Sequence, residues 1–218
     1  MEALGWALLG LVAAWLVGRG SLLLEGALKV AEPGGPSGPG WIERWLLPAL
    51  GLVGFFFFAK SEPMGAGLLI HSLWILVLLQ ILGFDLKHRL ILDVVSLPAL
   101  ALAVALANVS PHLDLMAALF GILVGGGALL PFALISSIFQ GGDGFGWGDV
   151  KLGMLIGAIT GMSLNPGALY TLWALIAGTL IGGAVTILLL VTRRLGLRDT
   201  LPYGPFLVAG CGVILFFM

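Results

Sequence analysis

Hydrophobic positions in this 218-residue chain fall into long blocks that contain no charged residue. The charge-free runs cover 3–18, 45–59, 63–84, 94–113, 115–142, 152–192 and 200–218. A helix that crosses a bilayer needs roughly 20 mainly apolar residues, so these blocks predict membrane helices. The run 152–192 is too long for one span, and "GMSLNPG" at 161–167 brings turn-forming residues to its middle. Split there, the pattern predicts an all-α polytopic membrane protein with about eight transmembrane helices. The weakest block is 45–59, which Trp41 and Ile42 can extend into the interface.

Composition agrees with the pattern. Hydrophobic residues make up 60% of the chain and charged residues 10%, and mean hydropathy is +1.13. A soluble domain runs nearer one quarter charged. Distribution of charge says more than the net value. With the N-terminus outside, the inner side receives Arg19, Lys29, Arg44, Lys87, Arg89, Lys151, Arg193, Arg194 and Arg198, and the outer side only Lys60. That is the positive-inside bias, and removing any one helix would scramble it. Arg19, the first positive charge, follows the first apolar run. This order predicts a retained first helix rather than a cleaved signal. No basic stripe exists to meet phosphates, which argues against a nucleic-acid partner. Cys211, the single cysteine, allows neither an internal disulfide nor a cysteine-based zinc site. The three histidines show no metal-ligand spacing, so neither a metal nor an organic cofactor is expected. His71, mid-helix in "LLIHSLW", reads as a core histidine. The inner loop 19–44 contains "EPGGPSGPG" and is expected to be flexible, within a single membrane-embedded domain over 1–218.

Two acids stand out on this map. Asp85, in "ILGFDLKHRLILD", closes the third predicted helix, and Asp149, in "GFGWGDVKL", opens the sixth. The topology puts both at cytoplasmic helix ends, at similar depth. Two carboxylates brought together at the edge of a low-dielectric slab resist joint ionisation and share a proton near neutral pH. Aspartic proteases use such a pair: one carboxylate draws a proton from water while the other polarises the scissile carbonyl. Gly146 and Gly148 remove side chains beside Asp149 and allow an unwound substrate backbone to approach. Two other readings stay open on the residues alone. Asp85 can mark a helix end, paired with Lys87 or Arg89, while Asp149 caps the next helix. Alternatively, the acids can serve a proton or ion pathway. Lys151 either stabilises the Asp149 carboxylate or anchors its helix. "GILVGGGA" at 121–128 permits close helix contact.

These segments resemble the type IV prepilin peptidase family of membrane aspartic proteases. "FDLKHRLILDVVSLP" is similar to the family's first signature, with Asp85 as a catalytic acid and Asp93 as an auxiliary one. Leu92 stands where the family usually has proline. "GWGDVKL" fits the second, Gly-x-Gly-Asp signature through Gly146, Gly148, Asp149 and Lys151. "LPYGPFLVAG" is similar to a third segment through Pro202, Gly204 and Pro205. The resemblance implies cleavage of prepilin or pseudopilin precursors at the cytoplasmic face of the bacterial inner membrane, after a short basic leader. It also implies that Asp143, six positions before Asp149, receives that leader, with solvation of the loop as the alternative; Glu25 and Glu32 face the same compartment and can add to the attraction. The basic turn Lys87-His88-Arg89 is expected to anchor the third helix to membrane lipid. Many members carry two Cys-x-x-Cys pairs associated with N-methylation; this chain has none of those cysteines, so a peptidase without methyltransferase activity is expected. Presenilin-like proteases share Gly-x-Gly-Asp, but here "LPAL" at 97–100 precedes Asp149 and Phe84 precedes Asp85, which disfavours that relation.

Overall fold

The computed structural model describes residues 2–28, 40–110, 112–139, 146–163, 169–194 and 201–218. Among the described residues there are eight α-helices, one π-helical turn and no strand. In chain order they are α1 (Glu2–Leu28), the π-helical turn Ile42–Leu46, α2 (Leu47–Ser61), α3 (Ala66–His88), α4 (Asp93–Leu106), α5 (Leu115–Phe139), α6 (Trp147–Thr160), α7 (Tyr170–Val191) and α8 (Gly204–Phe217). Every predicted apolar block holds one helix. Five segments are long and apolar enough to cross a membrane: α1, Ile42–Ser61, α3, Leu115–Ile138 and α7. Large apolar side chains such as Leu23, Leu123, Ile138, Val191 and Phe217 lie exposed on the helix surfaces. An apolar exterior suits a lipid solvent. The chain is a polytopic, all-helical membrane protein.

One boundary differs from expectation, and the expected extension of the second block is present. The predicted loop 19–44 begins too early, because α1 runs through Arg19 to Leu28. A charge does not end a helix when its side chain finds a place beside it. The Arg19 guanidinium lies over the Trp15 ring, 4.9 Å from its centroid, and Ser21 and Glu25 are buried farther along. Residues 29–39 of that loop, Glu32 included, lie outside the described residues. The short second block gains its length from the π-helical turn, which makes Ile42–Ser61 a 20-residue apolar segment.

The chain divides into two compact units, Met1–Leu90 and Ile91–Met218. In the first, α1 crosses α2 where glycine faces glycine. A Cβ built on Gly10 would stand 2.5 Å from the Gly51 carbonyl oxygen, so only glycine permits this approach. Trp6 Nε1 donates to Ser72 Oγ at 3.0 Å, and the Trp6 ring stacks on Phe55. His71 is buried as expected, stacked on Phe58 at 4.9 Å. Its acid partner is Glu62, from the turn between α2 and α3.

In the second unit, α5 and α6 touch through their backbones. The Gly157 and Gly153 carbonyls fill the space where Cβ atoms of Gly121 and Gly125 would stand. The "GILVGGGA" stretch thus does pack closely, as its small residues suggested. Gly161, at φ 68°, ends α6, and Thr171 Oγ1 donates to its carbonyl at 2.8 Å. The turn expected near 161–167 lies here, with 164–168 outside the described residues. On α7 and α8, Gly178 and Gly210 meet in the same backbone-to-backbone way.

Gly127 points into open space, whereas a Cβ on Gly157 would collide with the Gly121 carbonyl. Gly157→Val is therefore expected to lose about 3 kcal/mol, the upper end of the usual overpacking cost, while Gly127→Val changes little. Denaturant titration of both variants in detergent checks this.

Candidate active site

Asp85 sits on the last turn of α3. Its backbone carbonyl accepts from Arg89 N at 2.9 Å, and its side chain is buried, only 5% exposed. Arg89 ends the helix in the left-handed conformation, at φ 53°. A left-handed residue there turns the chain sharply and satisfies a terminal carbonyl. The acid is thus placed by the helix end itself.

The residues after Asp85 are engaged within the first unit. Lys87 Nζ lies 2.8 and 2.9 Å from the two carboxylate oxygens of Glu25 on α1 and 3.0 Å from Glu43 Oε1 in the π-helical turn. His88 Nε2 is 3.1 Å from Glu25 Oε1, and the His88 ring packs against Phe84. Glu25 and Glu43 are buried. Lys87 and His88 were expected at lipid headgroups and Glu25 in the flexible loop 19–44, adding to attraction of the leader; in the structure Lys87 and His88 lie against Glu25. The missed signal was the pairing of an acid in an apolar helix, Glu25, with a lysine near the end of another. Charge counting alone does not reveal such a long-range contact.

In the second unit, Gly146 is the N-cap of α6 and Asp149 occupies its first turn. Asp149 Oδ2 accepts from Gly146 N at 3.1 Å, the acid half of a capping box. This hydrogen bond fixes the direction of a carboxylate whose residue is 9% exposed. The two glycines differ. A Cβ on Gly148 would stand 3.1 Å from Ile91 Cβ, so that glycine admits the incoming chain before α4. Among the described residues, a Cβ on Gly146 would meet nothing closer than Gly148 N at 3.8 Å and Asp149 Oδ2 at 3.9 Å.

Lys151 directs its ammonium to Asp93, the first residue of α4, at 2.6 and 2.8 Å from its two oxygens. Two supporting residues read separately from the sequence therefore form one pair, joining the starts of α4 and α6. Pro202 and Gly204 lie at the start of α8, where Tyr203 OH and Thr179 Oγ1 are 2.7 Å apart. Asp143 lies outside the described residues.

Residues 70–187 match the model of the type IV leader peptidase family. The chain is 30% identical, over 73% of its length, to a prepilin leader peptidase/N-methyltransferase of Burkholderia pseudomallei, and covers 49% of that protein. It is 28% identical, over 66% of its length, to the protein of the same name from Pseudomonas aeruginosa, of which it covers 48%. It is 30% identical to leader peptidase HopD of Escherichia coli over 60% of its length, covering 81% of that protein. The chain thus spans about half the length of the two bifunctional relatives and most of the shorter one. No solved structure matches.

The two glycines before Asp149 are expected to respond differently to substitution. Gly146→Ser, whose Cβ would make only ordinary contacts among the described residues at a position where serine caps well, leaves stability within about 0.5 kcal/mol. Gly148→Val, forced against Ile91, costs about 1–3 kcal/mol. Thermal unfolding of the purified variants checks the contrast.

Proposed function

Because the chain belongs to the type IV leader peptidase family, we propose that it is a membrane aspartyl endopeptidase. Its substrates are prepilin or pseudopilin precursors, cut after a short basic leader at the cytoplasmic face of the bacterial inner membrane. The observation that carries this reading is the placement of Asp85 and Asp149. Each is a buried carboxylate on the terminal turn of an apolar helix, and each stands in a family-like signature. The acids belong to different compact units, and their convergence around one water molecule is part of the proposal.

The chemistry follows from sharing one proton. The ionised carboxylate takes a proton from the attacking water as oxygen bonds to the scissile carbonyl carbon. The protonated partner donates to the carbonyl oxygen, giving a neutral tetrahedral intermediate. Its collapse breaks the C–N bond, and the leaving nitrogen takes a proton from the carboxyl pair. The products are a leader ending in a carboxylate and a mature subunit with a free amine. A peptide in a helix has no accessible carbonyl, so the substrate must unwind beside the catalytic loop. The absence of side chains at Gly146 and Gly148, beside Asp149, supports approach there.

The remaining residues support this chemistry without touching the scissile bond. The Asp93–Lys151 pair fixes the first turn of α6, where Asp149 sits. Pro202 and Gly204 set the start of α8. Asp143 is the acid proposed to receive the basic leader. The amine product is proposed to leave unmethylated, since none of the family's paired cysteines is present in this chain.

Co-expression with a basic-leader prepilin tests the proposal. Asp85→Asn and Asp149→Asn are each expected to slow leader removal by roughly 10²–10⁴-fold, the usual contribution of a positioned acid or base. Full cleavage by both variants would refute an aspartyl mechanism. Mass spectrometry of the substrate processed by the parent protein is expected to show a free, unmethylated N-terminus; a methylated one made by this protein alone would refute the single activity.

A further inference from the structure

The ion cluster around Lys87 is larger than a surface anchor requires. Glu25 comes from the end of α1, Glu43 from the π-helical turn, and Lys87 and His88 from the last turn of α3. Three separate segments therefore meet at one ammonium group. Both carboxylates are buried, with relative exposures of 7% for Glu25 and 4% for Glu43. Burying two acids is costly unless each is met by an opposite charge, so the cluster strongly favours one arrangement of the three segments.

That arrangement bears on Asp85. Helix ends leave terminal carbonyls without partners inside the helix, and their last turns fray unless something holds them. In α3 the terminal turn is closed by Arg89 N donating to the carbonyl of Asp85 itself. Lys87 and His88 lie two and three residues beyond Asp85, inside the same turn. Fixing their side chains to α1 and the π-helical turn fixes the backbone that carries the acid. The Phe84 ring, packed 4.9 Å from the His88 ring, braces the other side of Asp85 in sequence.

We propose that Glu25, Glu43 and Lys87 are positioning residues: a charge clamp that holds the terminal turn of α3 so that Asp85 keeps its catalytic orientation. The proposal rests on reading Asp85 as a catalytic acid. It gives Glu25, in a region otherwise without function, a role in turnover rather than in attracting the leader. The clamp is built from charge as well as shape, so arginine at position 87 retains it and a neutral side chain does not.

The test uses the full chain in detergent or proteoliposomes, with rates normalised to folded protein from size-exclusion chromatography. Lys87→Met is expected to lower kcat on the order of 100-fold, the scale of an ångström-sized misplacement, with KM within about twofold because substrate contacts remain. Lys87→Arg is expected to restore most of that kcat. If Lys87→Met does not fold, Glu25→Gln, which keeps shape and removes charge, is measured for the same kcat loss. Parent-like kcat in the folded variant overturns the clamp, and so does a loss carried by KM alone. Asp85→Asn is run alongside. If it cleaves normally, the peptidase reading itself fails; if it is inactive while Lys87→Met or Glu25→Gln cleaves normally, only the clamp fails.

Discussion

An ionised side chain taken out of water must be met by another charge or by hydrogen-bond donors, or it destabilises the fold by several kcal/mol. The buried acids of this chain illustrate that constraint. Glu25 and Glu43 meet Lys87, and Asp149 accepts from the Gly146 amide. All of these groups lie on helix termini or on the turns between helices, where the hydrocarbon ends and backbone donors are free. The same demand that confines acids to helix ends also brings them to where water and an unwound peptide can coexist. In the proposed protease, the chemistry sits at the membrane edge because the solvent leaves it few other places.

Helix contacts answer a different problem. Lipid tails are as apolar as leucine, so helices gain little from hiding apolar surface and associate through close packing instead. The glycine pairs Gly10–Gly51, Gly121–Gly157 and Gly125–Gly153 let backbones approach without an intervening side chain. The two pairs with α5 hold α6 by its middle, and an exposed ion pair, Asp93–Lys151, links its N-terminal part to the start of α4. Asp149 thus stands at the start of a helix packed closely through its middle, the preorganisation that its proposed role requires.

Much of this was legible in the sequence. The number and order of the helices followed from charge-free blocks, although α4, α6 and α8, at 14 residues each, are shorter than the roughly 20 that a span needs. Asp85, Asp149 and the small residues near them were visible as a pattern. The end of α1 was not, because Arg19 beside Trp15 and Glu25 beside Lys87 carry charge without stopping a helix. The extension of the second span to Ile42 was legible, but the π-helical turn at Ile42–Leu46 that forms it was not. The partners of Lys87 and Lys151 were equally hidden. Ion pairs between residues 62 and 58 positions apart are decided by tertiary packing, which a local pattern does not encode. Gly148 had a second use that only structure reveals: it makes room for Ile91 as well as lying beside Asp149.

The proposed reaction requires the carboxylates of Asp85 and Asp149 to reach one water molecule. Cysteines at both positions, in a Cys211→Ala background, measure that directly. A disulfide needs Cα atoms about 4.4–6.8 Å apart, and a short bismaleimide extends the reach by several ångströms. In native membranes, mass spectrometry of digested protein is expected to find the 85–149 crosslinked peptide within a single chain after oxidation or bismaleimide treatment. Control cysteines at 85 and 163 are expected to give none. Complete labelling of both cysteines by a monofunctional thiol reagent, with no 85–149 crosslink by either route, would contradict a shared catalytic water.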